Sequence, residues 1–138
     1  MDTTGAIKTA IETDLAALKT LSESLQSMDG ALGEALELIA NMSGRLIVTG
    51  LGKSGHIGSK LAATFASTGT PAYFLHPAEA SHGDLGMVQP DDVILALSWS
   101  GETRELSDVI GYAKRHAVRL IAITGSSDSS LARAADAA

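Results

Sequence analysis

From Ile7 to Met28 the apolar residues Ile7, Ile11, Leu15, Leu18, Leu21, Leu25 and Met28 recur every three or four positions. That spacing puts them on one face and predicts an amphipathic helix. Asp29-Gly30 reads as a break. Leu32, Leu36, Ile39 and Met42 then predict a second helix, closed by Ser43-Gly44. The stripe suits core packing or a subunit contact better than a cofactor site.

After residue 44 the pattern changes. Leu46-Ile47-Val48 is a short apolar run ending in Gly50-Leu51-Gly52, which predicts a buried strand. Residues 54–68 return to helical spacing through Ile57, Leu61 and Phe65. Ala72-Tyr73-Phe74-Leu75 is a second strand, and an irregular stretch with a turn at Gln89–Asp92 follows it. Val93–Leu97 is a third strand, residues 103–116 a helix, and Leu120–Ile123 a fourth strand. Asp128 is placed to cap a last short helix holding Leu131 and Ala135. Apolar strands alternating with helices imply a parallel sheet covered on both faces, the three-layer form of the α/β class. On this reading residues 1–44 are an N-terminal helical segment for packing or oligomer contacts. Residues 45–138 are one α/β domain. It reads as incomplete at the C-terminus, because Ala135–Ala138 falls where another strand is expected.

Composition narrows the function. The 138 residues carry 16 acidic and 10 basic side chains, a net charge of −6. That disfavours non-specific binding to nucleic acid or to an anionic membrane. No apolar run approaches the ~18 residues of a membrane span, and the Met1–Gly5 start lacks the basic lead of a secretory signal. Cysteine is absent, which removes disulfides, thiolate metal sites and cysteine nucleophiles and fits a reducing, cytoplasmic setting.

Four of the 14 glycines fall between Gly50 and Gly58. Gly50-Leu51-Gly52-Lys53-Ser54-Gly55 follows a strand and opens a helix, as G-x-G-x-x-G does in dinucleotide sites. The acid such sites want after the second strand is missing, because that strand ends in His76-Pro77. A Walker loop fails too, since Ile47 stands where its leading glycine belongs. What remains is an anion site at a helix N-terminus with Lys53 and Ser54 as ligands, or a tight turn needing glycine only for packing. Ser98-Trp99-Ser100-Gly101-Glu102-Thr103 ends the third strand. Its three hydroxyls suit a phosphate monoester, or one of them simply caps a helix. Glu102 would repel a phosphate, so it is expected to face sugar hydroxyls or solvent.

If the sheet order is 2-1-3-4, the two motifs flank one crevice at the carboxyl ends of adjacent strands, a topological switch point. This predicts a small phosphorylated ligand. Between them, residues 76–84 gather His76, Glu79, His82 and Asp84 on a loop able to supply sugar contacts, a proton-transfer group or a metal ligand. His56 and His116 read as ordinary surface residues, and Trp99 as pocket wall or interface.

Residues 48–58, 63–71 and 76–87, with their Gly50–Gly58, Ala63–Pro71 and His76–Met87 motifs, closely resemble the D-arabinose 5-phosphate isomerases. Ser98-x-Ser100-Gly101-Glu102-Thr103 resembles the sugar-phosphate loop of the wider SIS (sugar isomerase) domain superfamily. The resemblance implies a SIS domain with a parallel sheet of flavodoxin-like order and no nucleotide or other cofactor. It implies an aldose–ketose isomerase interconverting D-ribulose 5-phosphate and D-arabinose 5-phosphate for Kdo and lipopolysaccharide synthesis. A homotetramer is implied, with a pocket completed by a neighbouring subunit. Lys53 and Glu105 match the family's catalytic positions, and His82 is implied with them as a catalytic, pocket or metal-contacting residue, bound zinc in relatives being inhibitory. Gly52, Ser54, Ser98, Ser100, Gly101, Glu102 and Thr103 would bind the substrate and its phosphate. Family members continue past residue 138 with a further catalytic glutamate and histidine, and often with CBS modules. A sugar-phosphate-binding module without turnover is therefore the alternative.

Overall fold

The computed structural model describes residues 2–138. The chain separates into two units, the second running from Leu32 to Ala138. Helix α1 covers Thr3–Asn41 without interruption and has no buried residue. The break expected at Asp29-Gly30 is absent, so one N-terminal helix replaces two. An interior glycine costs a helix only about 1 kcal/mol against alanine, and Gly30 is not among the glycines with positive φ.

In the second unit β1 (Leu46–Gly50), β2 (Ala72–Leu75), β3 (Val93–Leu97) and β4 (Arg119–Ile123) form one sheet. It is parallel throughout, in the order β2-β1-β3-β4, as the sequence predicts. The interior strands β1 and β3 are buried at every position, which explains their unbroken apolar runs. Alternate residues serve opposite layers. Leu46, Val48, Leu95 and Leu97 face α2 (Lys53–Ser67) and the last turns of α1, through Leu38, Met42, Leu61 and Phe65. Ile47, Ile94, Leu120 and Ala122 face α3 (Pro77–Ser81), α4 (Ser107–His116) and α5 (Ser130–Ala134), through Ala80, Leu106, Val109 and Leu131. The three-layer arrangement is thus present, and α2 and α4 lie on opposite faces of the sheet.

Three local expectations are corrected. The stretch after β2 is not irregular, because α3 and a 3₁₀ turn at Asp84–Met87 occupy it. Pro77 starts α3, where its missing N–H has no partner to lose. The helix expected from residue 103 begins as a 3₁₀ turn, Arg104–Leu106, and becomes α-helical only at Ser107. Ser129, not Asp128, caps α5; its hydroxyl accepts from the Ala132 N–H. At the other edge of the sheet Ala137 bridges Ile121 in parallel fashion.

The amino ends of the strands are tied by one buried carboxylate. Asp92 accepts from the Arg45 and Gln89 backbone N–H groups at 2.7 and 2.8 Å and pairs with the Arg45 guanidinium at 2.9 Å. Burial pushes its pKa up, but the Arg45 guanidinium and the two N–H groups outweigh this and hold it below the ordinary carboxylate value. A depressed carboxylate stabilises the fold fully above the unfolded pKa near ~4. That contribution fades as pH falls through the lower folded-state value. Asp92→Asn is expected to cost about 2 kcal/mol at pH 7, and its deficit should shrink at pH 2. Urea midpoints at the two pH values check both the size and the sign.

Candidate functional site

Gly50 pairs in register with Leu97, and Leu97 with Ile123, so the turns after β1, β3 and β4 leave the sheet side by side. A Cβ on Gly50 would stand 3.0 Å from the Leu97 carbonyl oxygen and 3.1 Å from the Ser54 backbone. The start of α2 and the end of β3 therefore press on the same glycine from two sides. The two motifs singled out in the sequence share one end of the sheet, at the β1/β3 switch point where such folds hold ligands.

The first turn is built on two glycines. Gly52 has φ 59° and ψ −126°, a conformation that strains any residue with a Cβ. Gly55 lets α2 lie on its strand, since a Cβ there would come 2.6 Å from the Gly50 carbonyl oxygen. No side chain caps α2. Its first N–H groups, with the positive end of the helix dipole, are thus free for an outside acceptor. Lys53 is exposed beside them and Ser54 half-buried.

The second turn is a closed knot. The Ser98 hydroxyl is buried and lies 2.7 Å from that of Thr103, while accepting from the Gly101 N–H at 3.1 Å. The Ser100 hydroxyl is exposed and accepts from the Glu102 N–H at 3.2 Å. Gly101 is buried with φ 66°. Sequence reasoning treated the three hydroxyls alike; in the structure all three bond within the loop, Ser98 and Thr103 to each other and Ser100 to the Glu102 N–H, and of the three only Ser100 is exposed.

The partner of this loop was missed. Residues 124–131, the turn after β4 and the start of α5, brace it throughout. The Gly125 N–H donates to the Trp99 carbonyl at 2.9 Å and the Leu131 N–H to the Gly101 carbonyl at 3.1 Å. Glu102 takes the Ser130 N–H on Oε1 at 2.6 Å, and this hydrogen bond lowers its pKa. The Glu102 carboxylate thus sits at the start of α5 and ties two loops together. A signal was present, because Thr124-Gly125-Ser126-Ser127-Asp128-Ser129 is a third polar strand–helix turn.

Glu105 lies in the 3₁₀ turn after the knot and is exposed. Helix α3 packs against this turn and against α4, which brings the 76–84 segment to the same side. His76 caps α3, its Nδ1 accepting from the Ala78 N–H at 3.3 Å, and His82 follows α3 and is exposed. Among the described residues neither Lys53 nor Glu105 has an ion-pair partner. No three His, Asp or Glu side chains among them stand close enough to hold a metal. A zinc at His82 would find no ligand set among the described residues.

Comparison with known proteins follows the same lines. Residues 38–138 match the SIS domain. The arabinose 5-phosphate isomerase KdsD of Salmonella typhi is 53% identical over 118 residues, 83% of this chain and 36% of that protein. KdsD of Escherichia coli is 62% identical over 93 residues, 67% of this chain and 28% of that protein. The chain thus spans about a third of the length of the curated relatives it matches. A solved Escherichia coli CFT073 structure, in complex with arabinose 5-phosphate, superimposes with a TM-score of 0.86 at 41% identity. That alignment covers 99% of this chain and 73% of the other. With this fold, these two turns and a match over residues 38–138, the chain belongs to the SIS domain family.

Proposed function

We propose that the protein interconverts D-ribulose 5-phosphate and D-arabinose 5-phosphate through an enediol, a step that supplies the Kdo and lipopolysaccharide pathway. The observation that carries this reading is the packing of Gly50 between the Leu97 carbonyl and the Ser54 backbone. It sets an uncapped helix start beside a hydroxyl-bearing loop. A phosphate there would take N–H groups from the first turn of α2 together with the Ser54 and Ser100 hydroxyls. Gly52, Gly101, Ser98, Glu102 and Thr103 give the two turns their shape. The kinship to arabinose 5-phosphate isomerases supports the choice of sugar.

The reaction shifts one proton between C1 and C2. In the ketose-to-aldose direction a base removes a C1 proton, the electron pair forms the C1–C2 double bond, and the C2 oxygen takes up negative charge. Passage of the C1 hydroxyl proton to the C2 oxygen, with return of the proton from the base to C2, leaves the aldehyde and restores the base. In our reading Glu105 is the base and Lys53 the cation beside the enediolate oxygen, with His82 a pocket residue. No cofactor enters this scheme. The phosphate, remote from the reacting carbons, supplies binding energy that orients them.

The same reading includes a homo-oligomer, the family's tetramer. In α1, Ile7, Ile11, Leu15, Leu18, Leu21, Leu25 and Met28 are 42–63% exposed. An amphipathic helix of this kind owes its stability to what covers its apolar face. A second copy of the chain, acting in the cytoplasm, is the cover we assign.

The test is incubation with ribulose 5-phosphate followed by a colorimetric assay for the aldose, beside thermal melts with added ligand. Aldose should form, and arabinose 5-phosphate should raise the melting temperature while NAD should not. Protection without turnover would turn the reading into a sugar-phosphate sensor; no protection would end it.

A further inference from the structure

The chain has one tryptophan, and it lies inside the Ser98–Thr103 loop. Trp99 is 85% exposed, although an indole is the largest apolar group a protein can bury. Looseness does not account for this. The Trp99 carbonyl is held by the Gly125 N–H at 2.9 Å and by the Thr124 hydroxyl at 3.4 Å. The ring itself has a seat, because a Cβ added to Gly125 would meet indole Cδ2 and Cε2 at 3.3 Å. Gly125 therefore supports the ring, and any larger residue would push against it. The rest of the indole is open to whatever occupies that end of the sheet.

A ring that rests on Gly125, carried by a backbone held at its carbonyl, loses less freedom when it is covered than one on a free loop. Its neighbours set what can cover it. Ser98 is turned inward, while Ser100 presents an exposed hydroxyl next in sequence. We propose that Trp99 is a specificity-determining residue, its open indole stacking on the C–H face of the sugar whose phosphate the adjoining loop holds. This rests on the functional reading above and adds to it the group that distinguishes a sugar phosphate from phosphate alone. The electron-rich ring face attracts the weakly positive C–H bonds of the sugar carbons. Inorganic phosphate has no such bonds and gains nothing from the ring.

Titration calorimetry with arabinose 5-phosphate and with inorganic phosphate separates the two contributions, using the wild type, Trp99→Ala and Trp99→Phe. Trp99→Ala should weaken arabinose 5-phosphate about fivefold to tenfold, the size of an aromatic contact. Its affinity for inorganic phosphate should stay unchanged, and Trp99→Phe should recover most of the loss. Since Trp99 is the sole tryptophan, the wild-type emission should also shift as arabinose 5-phosphate saturates the protein, and this holds even if the alanine variant does not fold. Unchanged emission at saturation, or an unchanged affinity for the sugar phosphate in Trp99→Ala, overturns the stacking role and leaves the functional reading standing. Failure of the wild type to bind arabinose 5-phosphate at all ends both.

Discussion

Lys53→Ala is expected to lower kcat about 10²- to 10³-fold, the usual loss when a preorganised donor to a developing oxyanion is removed. Lys53 is the first residue of α2, at the uncapped positive end of that helix. Its ammonium has no ion-pair partner among the described residues. Charge appearing on the enediolate oxygen would meet this cation without displacing another anion. The loss should fall on kcat more than on KM, because the full negative charge exists only beyond the ground state. Glu105→Gln, which keeps the shape and removes the base, should cost about 10²- to 10⁴-fold in kcat. Steady-state kinetics on both variants decide the matter. If each keeps kcat within threefold of wild type, neither group has the role assigned.

The legible parts of this fold were those set by burial. β1 and β3 are interior strands, so every side chain is apolar or small and the runs stand out. Their order was a supposition that the family resemblance supported, and the meeting of the two glycine- and serine-bearing turns followed from that order. The division of labour within the serine loop was hidden. Ser98, Ser100 and Thr103 look equivalent as letters. Only the sharp turn at Gly101 makes Ser98 and Thr103 face each other while Ser100 faces out. Glu102 was hidden for a related reason, since its partner Ser130 is 28 positions away and joined by no periodicity. The continuity of α1 through Asp29-Gly30 was missed because a turn signal is also an affordable defect inside a long helix.

Gly101→Ala should both destabilise the protein and empty the site. At φ 66° an alanine pays about 1–2 kcal/mol for the left-handed backbone alone. Its methyl would also overlap Cβ and Oγ of buried Ser129 and lie 2.8 Å from the Thr124 hydroxyl. Ser129 cannot retreat cheaply, because its hydroxyl donates to the Ser126 carbonyl at 2.8 Å and caps α5. Overpacking of this kind adds ~1–3 kcal/mol, which together corresponds to a fall of roughly 10 °C in Tm for a chain of this size. The loop can avoid the clash only by moving off the β4–α5 turn, and that motion carries Ser100 and Trp99 with it. Affinity for arabinose 5-phosphate should then drop at least ~100-fold even at temperatures where the variant is folded, since misplacing a binding loop by about 1 Å is enough for such a loss. Gly52→Ala is the control. It meets no atom within 4 Å and carries only backbone strain of about 1–3 kcal/mol. Thermal melts and calorimetry on the two variants separate a turn that is merely strained from one that is wedged. Equal Tm losses would mean that the bracing by Ser129 is not what holds the serine loop in place.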